Sequence, residues 1–395
     1  RKEVMKYTRE WVNMTERIGY WVDMNDPYIT YDNRYIETLW YLLKKIYDKG
    51  LLYKGFSIQP YSPSDGTGLS SHELNQPGCY KDVTDTTVTV QFEVIKDAKS
   101  QPLFGLETLP VYFLAWTTTP WTLSSNTALC VGPNIEYVRV KSFNPYTGAE
   151  AIYVVAKALV SEWFSPKAAG LALEDYKPGD KLIPFKVLDG TFKGSELAGI
   201  RYHQLIPWFK PIDGDAFRVI TGDYVSTDEG TTGIVHIAPT FGADDKKVAA
   251  GIGPMMVIDK NGNHQPLVDH DGRFFPLEDL DPEYVAANVS PEYKEYAGRY
   301  VKNAFDDTLP ADAPTLDVDL CMMMKMDGRA FKIQKHVHSY PHSWRTDKPV
   351  LYYPLDAWFI KTTAVKDQMV ALNKTIRWKP ESTGTGRFGQ WLENI

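Results

Sequence analysis

An apolar run that ends in three consecutive threonines constrains the fold of this chain more than any other feature. Residues 111–115, Val-Tyr-Phe-Leu-Ala, have the composition of a buried β-strand, and the threonines at 117–119 follow one residue later. Pro120 then removes a backbone donor and ends strand pairing. Hydroxyls and free N–H groups should therefore lie at the end of a buried strand, although by composition three threonines are also typical of one solvated strand face.

A second polar stretch, residues 230–245, shows a similar pattern. Its residues 234–237, Ile-Val-His-Ile, predict a strand, and a proline and a glycine after them predict the exit turn. Asp244 and Asp245 then fall in the first turn of a predicted helix, where free N–H groups and the helix dipole favour carboxylates. Taken alone, an aspartate there is equally a helix cap, and His236 is typical of a core histidine. The glycines do not form a phosphate loop, because no Gly-Lys-Ser/Thr ending follows.

The middle of the chain predicts short strands and helices in a mixed order. Strands are predicted at 88–94, 111–116, 135–140, 151–156, 217–221 and 233–238, and short helices near 157–164 and 243–250. This order lacks a regular βαβ repeat. We therefore predict a mixed α/β, β-rich fold with a barrel-like module from about residue 86 to about residue 330.

One long amphipathic helix is predicted near the start of the chain. Asp32 or Asn33 can cap this helix, and Gly50 can end it. The apolar residues between these ends recur at helical spacing and are Ile36, Leu39, Trp40, Leu43 and Tyr47. We therefore predict a packed helix with one buried stripe.

Length, charge and cysteine content restrict the classes of function. A chain of 395 residues can hold two or three domains with a substantial core. Its net charge of −7 argues against broad non-specific nucleic-acid binding, so an RNA partner must be held by a local basic patch or by shape. The three cysteines lack metal-ligand spacing, which favours a reducing compartment and no structural zinc. The chain contains no run of eighteen apolar residues, so no membrane span is predicted.

Both polar stretches resemble editing-domain signatures of the isoleucyl-tRNA synthetases, a family of class I aminoacyl-tRNA synthetases, which are ligases. Residues 116–126, Trp-Thr-Thr-Thr-Pro-Trp-Thr-Leu-Ser-Ser-Asn, are similar to the threonine-rich signature, and residues 230–245 are similar to the second one. Valyl and leucyl relatives carry an arginine after two threonines, whereas this chain has Thr119. Ser124 stands where the family usually has proline. The two signatures occur in the family's order.

The resemblance extends over the whole chain and implies its domain organisation. Residues 1–85 are similar to a segment of the Rossmann-type catalytic domain, residues 86–332 to the inserted, barrel-like editing domain, and residues 333–395 to the return segment. The family's His-Ile-Gly-His-like ATP motif and its Lys-Met-Ser-Lys-Ser loop are missing from the chain. We therefore expect a fragment that needs no cofactor itself, whereas the full-length parent uses ATP and magnesium in protein biosynthesis.

In the family, this region hydrolyses the ester bond between a tRNA and an amino acid that was attached to it wrongly. The resemblance implies that the partner is tRNA(Ile) mischarged with valine, that no membrane is involved, and that the protein is a cytoplasmic monomer. It assigns catalysis to Thr117, Thr118, Thr119 and Asp245, substrate binding to Thr122, Asn126, His236 and Asp245, and no residue to a metal. Asp245 matches the carboxylate that holds the substrate ammonium, and His236 matches the pocket histidine that excludes isoleucine. The threonines, with Asn126, would hold the terminal adenosine and position water.

Three alternatives stay open from the sequence alone. An editing domain of the valyl enzyme would remove threonine, a tRNA-binding module would be catalytically silent, and a metal-dependent hydrolase would be inhibited by chelators. His336, His338 and His342 are the candidate metal ligands, but an intervening Tyr-Pro pair breaks their shared strand face. The sequence shows no Ser-His-Asp or Cys-His signature for activating water, so we expect a hydroxyl of the terminal ribose to assist the threonines.

Overall fold

The computed structural model describes residues 2–310 and 313–394, which form two compact units. The larger unit is Ser57–Leu355, and the smaller one comprises the described parts of residues 1–56 and 356–395. The α-helices are α1 (Lys2–Met5), α2 (Thr8–Arg17), α3 (Asn33–Asp48), α4 (Ser71–Leu74), α5 (Gln101–Phe104), α6 (Val160–Trp163), α7 (Gly194–Leu197), α8 (Ala243–Val248), α9 (Pro282–Asn288), α10 (Leu316–Met326), α11 (Lys366–Asn373) and α12 (Phe388–Glu393). Within the described ranges, no helix is long and apolar enough to cross a bilayer.

The β-strands and the short turns complete the secondary structure. The strands are β1 (Leu52–Ser62), β2 (Thr67–Gly68), β3 (Tyr80–Glu93), β4 (Val111–Thr117), β5 (Ala128–Val131), β6 (Glu136–Phe143), β7 (Glu150–Ala156), β8 (Lys186–Lys193), β9 (Arg218–Thr221), β10 (Ile234–Ile237), β11 (Val257–Ile258), β12 (His264–Gln265), β13 (Ala330–Pro341) and β14 (Leu351–Ile360). Turns of 3-10 helix lie at Pro120–Ser125, Lys157–Leu159, Pro166–Ala168, Leu173–Asp175, Leu277–Asp279, Pro291–Glu295, Asn303–Phe305 and Thr362–Val365, and a π-helical turn lies at Thr383–Arg387.

Helix α3 of the smaller unit begins and ends where the sequence predicts. The Asp32 side chain caps it by accepting a hydrogen bond of 2.8 Å from the Arg34 N–H, and Gly50 follows its end with a φ of 67°. The predicted buried stripe is wrong, because Leu39 is 44% exposed and Trp40 is 68% exposed. Helical spacing predicts which face is apolar, but it carries no information on what covers that face, and the described residues leave it exposed.

A six-stranded sheet organises the larger unit, in the order β13-β3-β4-β7-β6-β8. Its neighbouring strands are antiparallel except β4 and β7, which run parallel with Val111 opposite Ile152. Strands β3, β4, β6 and β7 confirm four of the predicted strands, whereas the sequence patterns do not predict β8 and β13. Alternate residues of β3, such as Val88 and Phe92, are fully buried in the main core.

A three-stranded sheet, in the order β10-β5-β9, brings the two polar stretches together. Strand β5 pairs antiparallel with β10, so that Leu129 lies opposite His236, and parallel with β9, so that Cys130 lies opposite Ile220. Strand β5 follows the turn Pro120–Ser125, which leads out of β4. The threonine end of the first sheet therefore lies close to the histidine strand of the second.

The mixed α/β architecture with several sheets confirms the predicted class, but the barrel-like module is not confirmed. Strands β13 and β8 are the edges of the six-stranded sheet, and among the described strands each has a single ladder neighbour. A barrel requires its first and last strands to pair. Periodicity in the sequence predicts strands but does not predict whether two sheet edges meet. The Rossmann-type character of the flanking segments stays a prediction.

Helix α10 supports the threonine-rich segment from the core side. It packs against β3, β13 and the turn Pro120–Ser125. Its residues Leu320 and Met324 are fully buried in the main core, whereas Met322 and Met326 are exposed. The turn is therefore held between a helix and the sheet from which it emerges.

Candidate active site

Strand β4 ends at Thr117, and Thr117, Thr119 and Thr122 form one hydrogen-bonded chain. The Thr119 N–H donates to Thr117 Oγ1 over 3.1 Å, and the two hydroxyl oxygens lie 3.3 Å apart. Thr119 Oγ1 lies 3.1 Å from Thr122 Oγ1, and the Thr122 hydroxyl donates to the Thr119 carbonyl over 2.8 Å. Thr117 is only 7% exposed, so these threonines do not form a solvated strand face. Each hydroxyl is held by its neighbour in the chain.

Pro120 converts the end of the strand into the turn that carries Thr122. It occupies the first helical position of Pro120–Ser125, where the missing N–H leaves no donor without a partner. Thr119 before it has φ −127° and ψ 75°, outside the helical region, as a residue that precedes proline prefers. Because residues three apart eclipse each other in a 3-10 helix, the turn returns Thr122 to Thr119.

His236 on β10 completes the chain from the neighbouring sheet. Its Nε2 atom lies 3.1 Å from Thr122 Oγ1. The side chain is 9% exposed, and burial lowers the pKa of His236 to about 4. The imidazole is therefore neutral at neutral pH. Among the described residues, its Nδ1 atom has no hydrogen-bond partner.

Asp245 lies in the first turn of α8, as the sequence predicts, and its carboxylate folds back onto the loop before the helix. Oδ2 accepts a hydrogen bond of 2.8 Å from the Ala238 N–H. Gly242 leaves room for the carboxylate, because a Cβ atom there would lie 2.5 Å from Asp245 Cγ. Burial raises the pKa of Asp245 to about 6, the Ala238 N–H opposes this shift, and the charge of Asp244 adds to it. A carboxylate in this state gains from a cation placed beside it.

A pocket of about 270 Å³ opens beside the threonine turn. The residues that line it are Trp116, Thr117, Thr118, Tyr224, Ser226, Thr231, Thr232, Gly233, Ile234, Val235 and His236. Three predicted site residues thus share one cavity, and Thr119 and Thr122 are joined to it by hydrogen bonds. Asp245 is not one of the residues that line the pocket, although burial first, and then the charges of Cys130 and Asp245, raise the pKa of the pocket residue Tyr224.

Asn126 is the predicted site residue whose side chain is turned inward. It is 2% exposed and is not one of the residues that line the pocket. Its amide donates to the Ala128 carbonyl over 2.8 Å, and its Oδ1 atom accepts a hydrogen bond of 2.8 Å from the Tyr202 hydroxyl. These contacts hold the start of β5, and the role of Asn126 in substrate binding stays a prediction.

The sequence analysis missed two features of the site. Tyr224 and Ser226 reach the pocket from the loop after β9, and their position between a strand and the second signature is the only signal that points to them. The Trp121 N–H, at the start of the turn, donates to Asp317 Oδ1 over 3.2 Å. Asp317 lies 196 positions further along the chain, and no local pattern connects the two residues.

The three histidines considered as metal ligands make other contacts, and the His336 ring lies 5.3 Å from the ring of Trp116. His338 Nε2 lies 3.1 Å from Asp85 Oδ2, and His342 Nδ1 lies 2.9 Å from the Tyr340 carbonyl oxygen. Across residues 2–310 and 313–394, no three His, Cys, Asp or Glu side chains are grouped so that they could hold a metal ion.

Comparison with known families gives the class of protein. The family model for class I tRNA synthetases (I, L, M and V) matches residues 1–395. The chain therefore belongs to the class I tRNA synthetases.

Within that class, the chain is similar along its whole length to isoleucine–tRNA ligases. The enzyme of Bacteroides fragilis is 63% identical over 398 residues, and that of Bacteroides thetaiotaomicron is 59% identical over 418 residues. Both alignments cover 100% of this chain but only 34% and 36% of those proteins. The chain thus spans about a third of the length of these relatives. The resemblance to isoleucyl-tRNA synthetases that the two signatures predict is confirmed.

Two solved structures show a weaker likeness. GlLeuRS-CP1 is 14% identical, with a TM-score of 0.38, and the match covers 63% of this chain and 99% of that one. The P. knowlesi cytosolic leucyl-tRNA synthetase editing domain is 14% identical, with a TM-score of 0.31, and the match covers 41% of this chain and 60% of that one. Because both TM-scores lie below 0.5, the family assignment rests on the sequence comparisons.

Proposed function

We propose that this chain is the editing part of an isoleucyl-tRNA synthetase and hydrolyses valyl-tRNA(Ile). The observation that supports this most is the hydrogen-bonded chain of Thr117, Thr119, Thr122 and His236 beside the pocket, which joins the two signature segments into one site. The proposed editing domain is residues 86–332. The full-length parent would ligate isoleucine to tRNA with ATP and magnesium, neither of which is needed for the hydrolysis of an ester.

In this proposal, Asp245 binds the ammonium group of the valyl ester. Its carboxylate accepts the Ala238 N–H, and its raised pKa of about 6 reflects the cost of burying its charge. A bound ammonium favours the ionised form and offsets that cost. The charge-assisted contact also fixes the direction of the ester in the pocket.

His236 limits the size of the side chain that the pocket accepts. The ring is buried, neutral and held by Thr122, so it is a fixed wall. A site that only prefers isoleucine discriminates against valine by about 1–3 kcal/mol per methylene, a range known from this same family of enzymes. A second site that admits valine and excludes isoleucine supplies the accuracy that the first one lacks.

The threonine chain positions the attacking water. Water attacks the ester carbonyl carbon, the C–O bond to the ribose breaks, and the ribose oxygen takes up a proton, which leaves valine and uncharged tRNA. Hydroxyls and N–H groups fixed at the end of β4 stabilise the oxyanion without reorganising. Since the pKa of His236 is about 4, its imidazole is a weak base, and we assign activation of the water to the free hydroxyl of the terminal ribose.

The proposed function is tested by single-turnover hydrolysis of valyl-tRNA(Ile) and isoleucyl-tRNA(Ile) by this chain, with tRNA binding measured on the same samples. We expect the valyl ester to be cleaved faster. Tight binding without cleavage of either ester would contradict the proposal and indicate a tRNA-binding module. Preferential cleavage of threonyl-tRNA(Val) would instead indicate a valyl-type editing domain.

The ribose assistance is tested separately with valyl-tRNA(Ile) whose terminal ribose lacks the free hydroxyl. We expect slow cleavage of this substrate and unchanged binding. Cleavage at the full rate would show that the water is activated by the protein.

A further inference from the structure

The turn that carries Thr122 is attached to α10 by one buried carboxylate. The first N–H groups of a helical turn have no acceptor within the turn. Because Pro120 has no N–H, the Trp121 N–H is the first donor of this turn that needs an acceptor from elsewhere. It donates to Asp317 Oδ1 over 3.2 Å, and the Asp317 side chain is 3% exposed. Neither Trp121 nor Asp317 is one of the residues that line the pocket.

Asp317 belongs to a buried group of charges drawn from several elements. Lys302 Nζ lies 2.8 Å from Asp85 Oδ2 and 3.9 Å from Asp317 Oδ2. Asp85 Oδ2 also lies 3.1 Å from His338 Nε2, and Lys302 Nζ lies 4.9 Å from the centre of the Tyr340 ring. One lysine thus holds two carboxylates in the interior, one on β3 and one on α10.

We propose that Asp317 is a positioning residue for ester hydrolysis: through the Trp121 N–H, and held by Lys302, it fixes the turn that aligns Thr119 and Thr122 with His236. This inference rests on the proposed function and adds to it a residue that touches neither the substrate nor the pocket. The turn is thus held both by the threonine hydrogen bonds and by the contact between Trp121 and Asp317.

Trp121 also connects the turn to the segment that carries Asp245. Its ring lies 4.9 Å from that of Phe241 in an edge-to-face contact, and both side chains are buried. Phe241 lies in the loop that leads into α8. A turn released from Asp317 would therefore disturb the threonines and the loop before Asp245 together.

The charge of Asp317 strengthens the contact, since an ionised acceptor binds an N–H about twice as strongly as a neutral one. Burial raises the pKa of Asp317 to about 7, Lys302 opposes this shift, and Asp85 adds to it. The titratable groups that face Asp317 are Lys302 from the segment before α10, Asp85 on β3, Lys335 and Tyr340 on β13, and Cys321 on α10. The maximal rate should therefore fall as pH drops through about 7, because protonation weakens the bond to the Trp121 N–H.

The inference is tested with Asp317→Ala, which removes the acceptor, and Asp317→Asn, which keeps the shape and an acceptor oxygen but removes the charge. Asp319→Asn is the matched control, because Asp319 lies on the same helix, is 43% exposed and pairs with Arg299 at the surface. Single-turnover hydrolysis of valyl-tRNA(Ile) is measured from pH 6 to pH 9, with uncatalysed deacylation subtracted. Thermal unfolding and hydrogen exchange of the Trp121 amide are measured on the same proteins.

We expect Asp317→Ala to lower the maximal rate about 10- to 100-fold, with less than about a threefold change in the half-saturating tRNA concentration. Asp317→Asn should lower the rate about three- to tenfold and remove the inflection near pH 7. Exchange of the Trp121 amide should be faster in Asp317→Ala, and Asp319→Asn should match the wild type in every measurement.

A folded Asp317→Ala variant with the wild-type rate and pH profile would overturn the inference, as would a loss of activity that follows only the unfolded fraction. If Asp317→Ala does not fold, the Asp317→Asn pH profile decides, and an unchanged inflection overturns the inference. If the wild-type chain cleaves no ester, the proposed function is rejected, whatever the role of Asp317. Hydrogen exchange of the Trp121 amide then tests whether Asp317 protects that amide, and unchanged exchange in the Asp317 variants would show that it does not.

Discussion

The two sides of the site are built in opposite ways. On the threonine side, Thr117, Thr119, Thr122 and His236 satisfy one another through a continuous set of hydrogen bonds, and burial leaves the imidazole neutral. On the other side, Asp245 accepts the Ala238 N–H, and burial raises its pKa to about 6. The first side is held by its own hydrogen bonds, although His236 Nδ1 has no partner among the described residues, whereas the carboxylate of the second side is stabilised when a cation is placed beside it.

This difference suggests that the threonine side aligns the reacting groups and that Asp245 supplies binding energy for the substrate. A preorganised set of hydroxyls costs nothing to rearrange at the moment of reaction, so it suits a role in aligning water and the ester. The ionised form of a carboxylate whose charge is costly to bury is stabilised by a nearby ammonium group, and this stabilisation contributes to the affinity for that group. Changes on the threonine side should therefore alter rate or selectivity, and changes at Asp245 should alter binding and stability together.

The largest effect is expected at the carboxylate. Asp245→Ala removes the ammonium partner, and we expect kcat/KM for valyl-tRNA(Ile) to fall about 10²- to 10³-fold, since charged partners in binding sites are worth several kcal/mol. Asp244→Asn is the control, because Asp244 is its chain neighbour but is exposed and pairs with Lys247. Equal losses in the two variants would show that the helix start matters and the Asp245 carboxylate does not.

The next effect is on selectivity. His236→Ala removes the fixed wall, and we expect the preference for the valyl over the isoleucyl ester to shrink about 10- to 100-fold, mainly because isoleucyl-tRNA(Ile) becomes a substrate. His203→Ala, at an exposed histidine outside this pocket, should leave the preference unchanged. An unaltered preference in His236→Ala would mean that another residue sets the size limit.

Breaking the hydroxyl chain at its middle should have a smaller effect. Thr122→Val keeps the shape of the side chain but removes the contacts to Thr119 and His236, so we expect the maximal rate to fall about 3- to 10-fold with little change in tRNA binding. Ser124→Ala removes a hydroxyl of the same turn that donates to the Trp121 carbonyl outside the chain. Equal rates in both variants would show that the chain does not align the reaction.

The last effect is on stability and has the opposite sign to the effect on activity. The pKa of Asp245 is raised from 3.8 to about 6 in the folded state, so between these values the unfolded chain binds fewer protons and stability falls as pH rises. Asp245→Asn removes this loss, and we expect it to stabilise the chain by about 1–2 kcal/mol at pH 8 and by little at pH 4. Denaturant unfolding at the two pH values measures the difference, and equal stability at pH 8 would argue against a strained carboxylate.

The sequence predicts those parts of the fold and site that depend on local patterns. Strand β4, the break at Pro120 and the start of α8 follow from a continuous apolar run, proline geometry and helix-start signals. Because the two signatures lie on β4 and β10, the resemblance also identifies residues that share one pocket, such as Thr117 and His236. These are the features for which neighbouring residues carry the information.

The remaining features depend on contacts between distant segments. The exposed apolar face of α3 and the unpaired edges of the main sheet reflect what packs beside an element, which spacing within the element does not encode. The inward position of Asn126 depends on Tyr202, and the bond of Trp121 to Asp317 depends on the placement of α10. Only the folded structure shows these contacts.

Rate and stability of the wild type and Asp245→Asn, both measured at pH 8, decide whether the Asp245 carboxylate binds the substrate at the expense of stability. We expect the wild type to hydrolyse valyl-tRNA(Ile) faster than isoleucyl-tRNA(Ile), and Asp245→Asn to hydrolyse the valyl ester about 10²- to 10³-fold more slowly while unfolding at a higher denaturant concentration. An Asp245→Asn variant that keeps the wild-type rate and preference, or that loses activity because it is less stable, would contradict this role of Asp245.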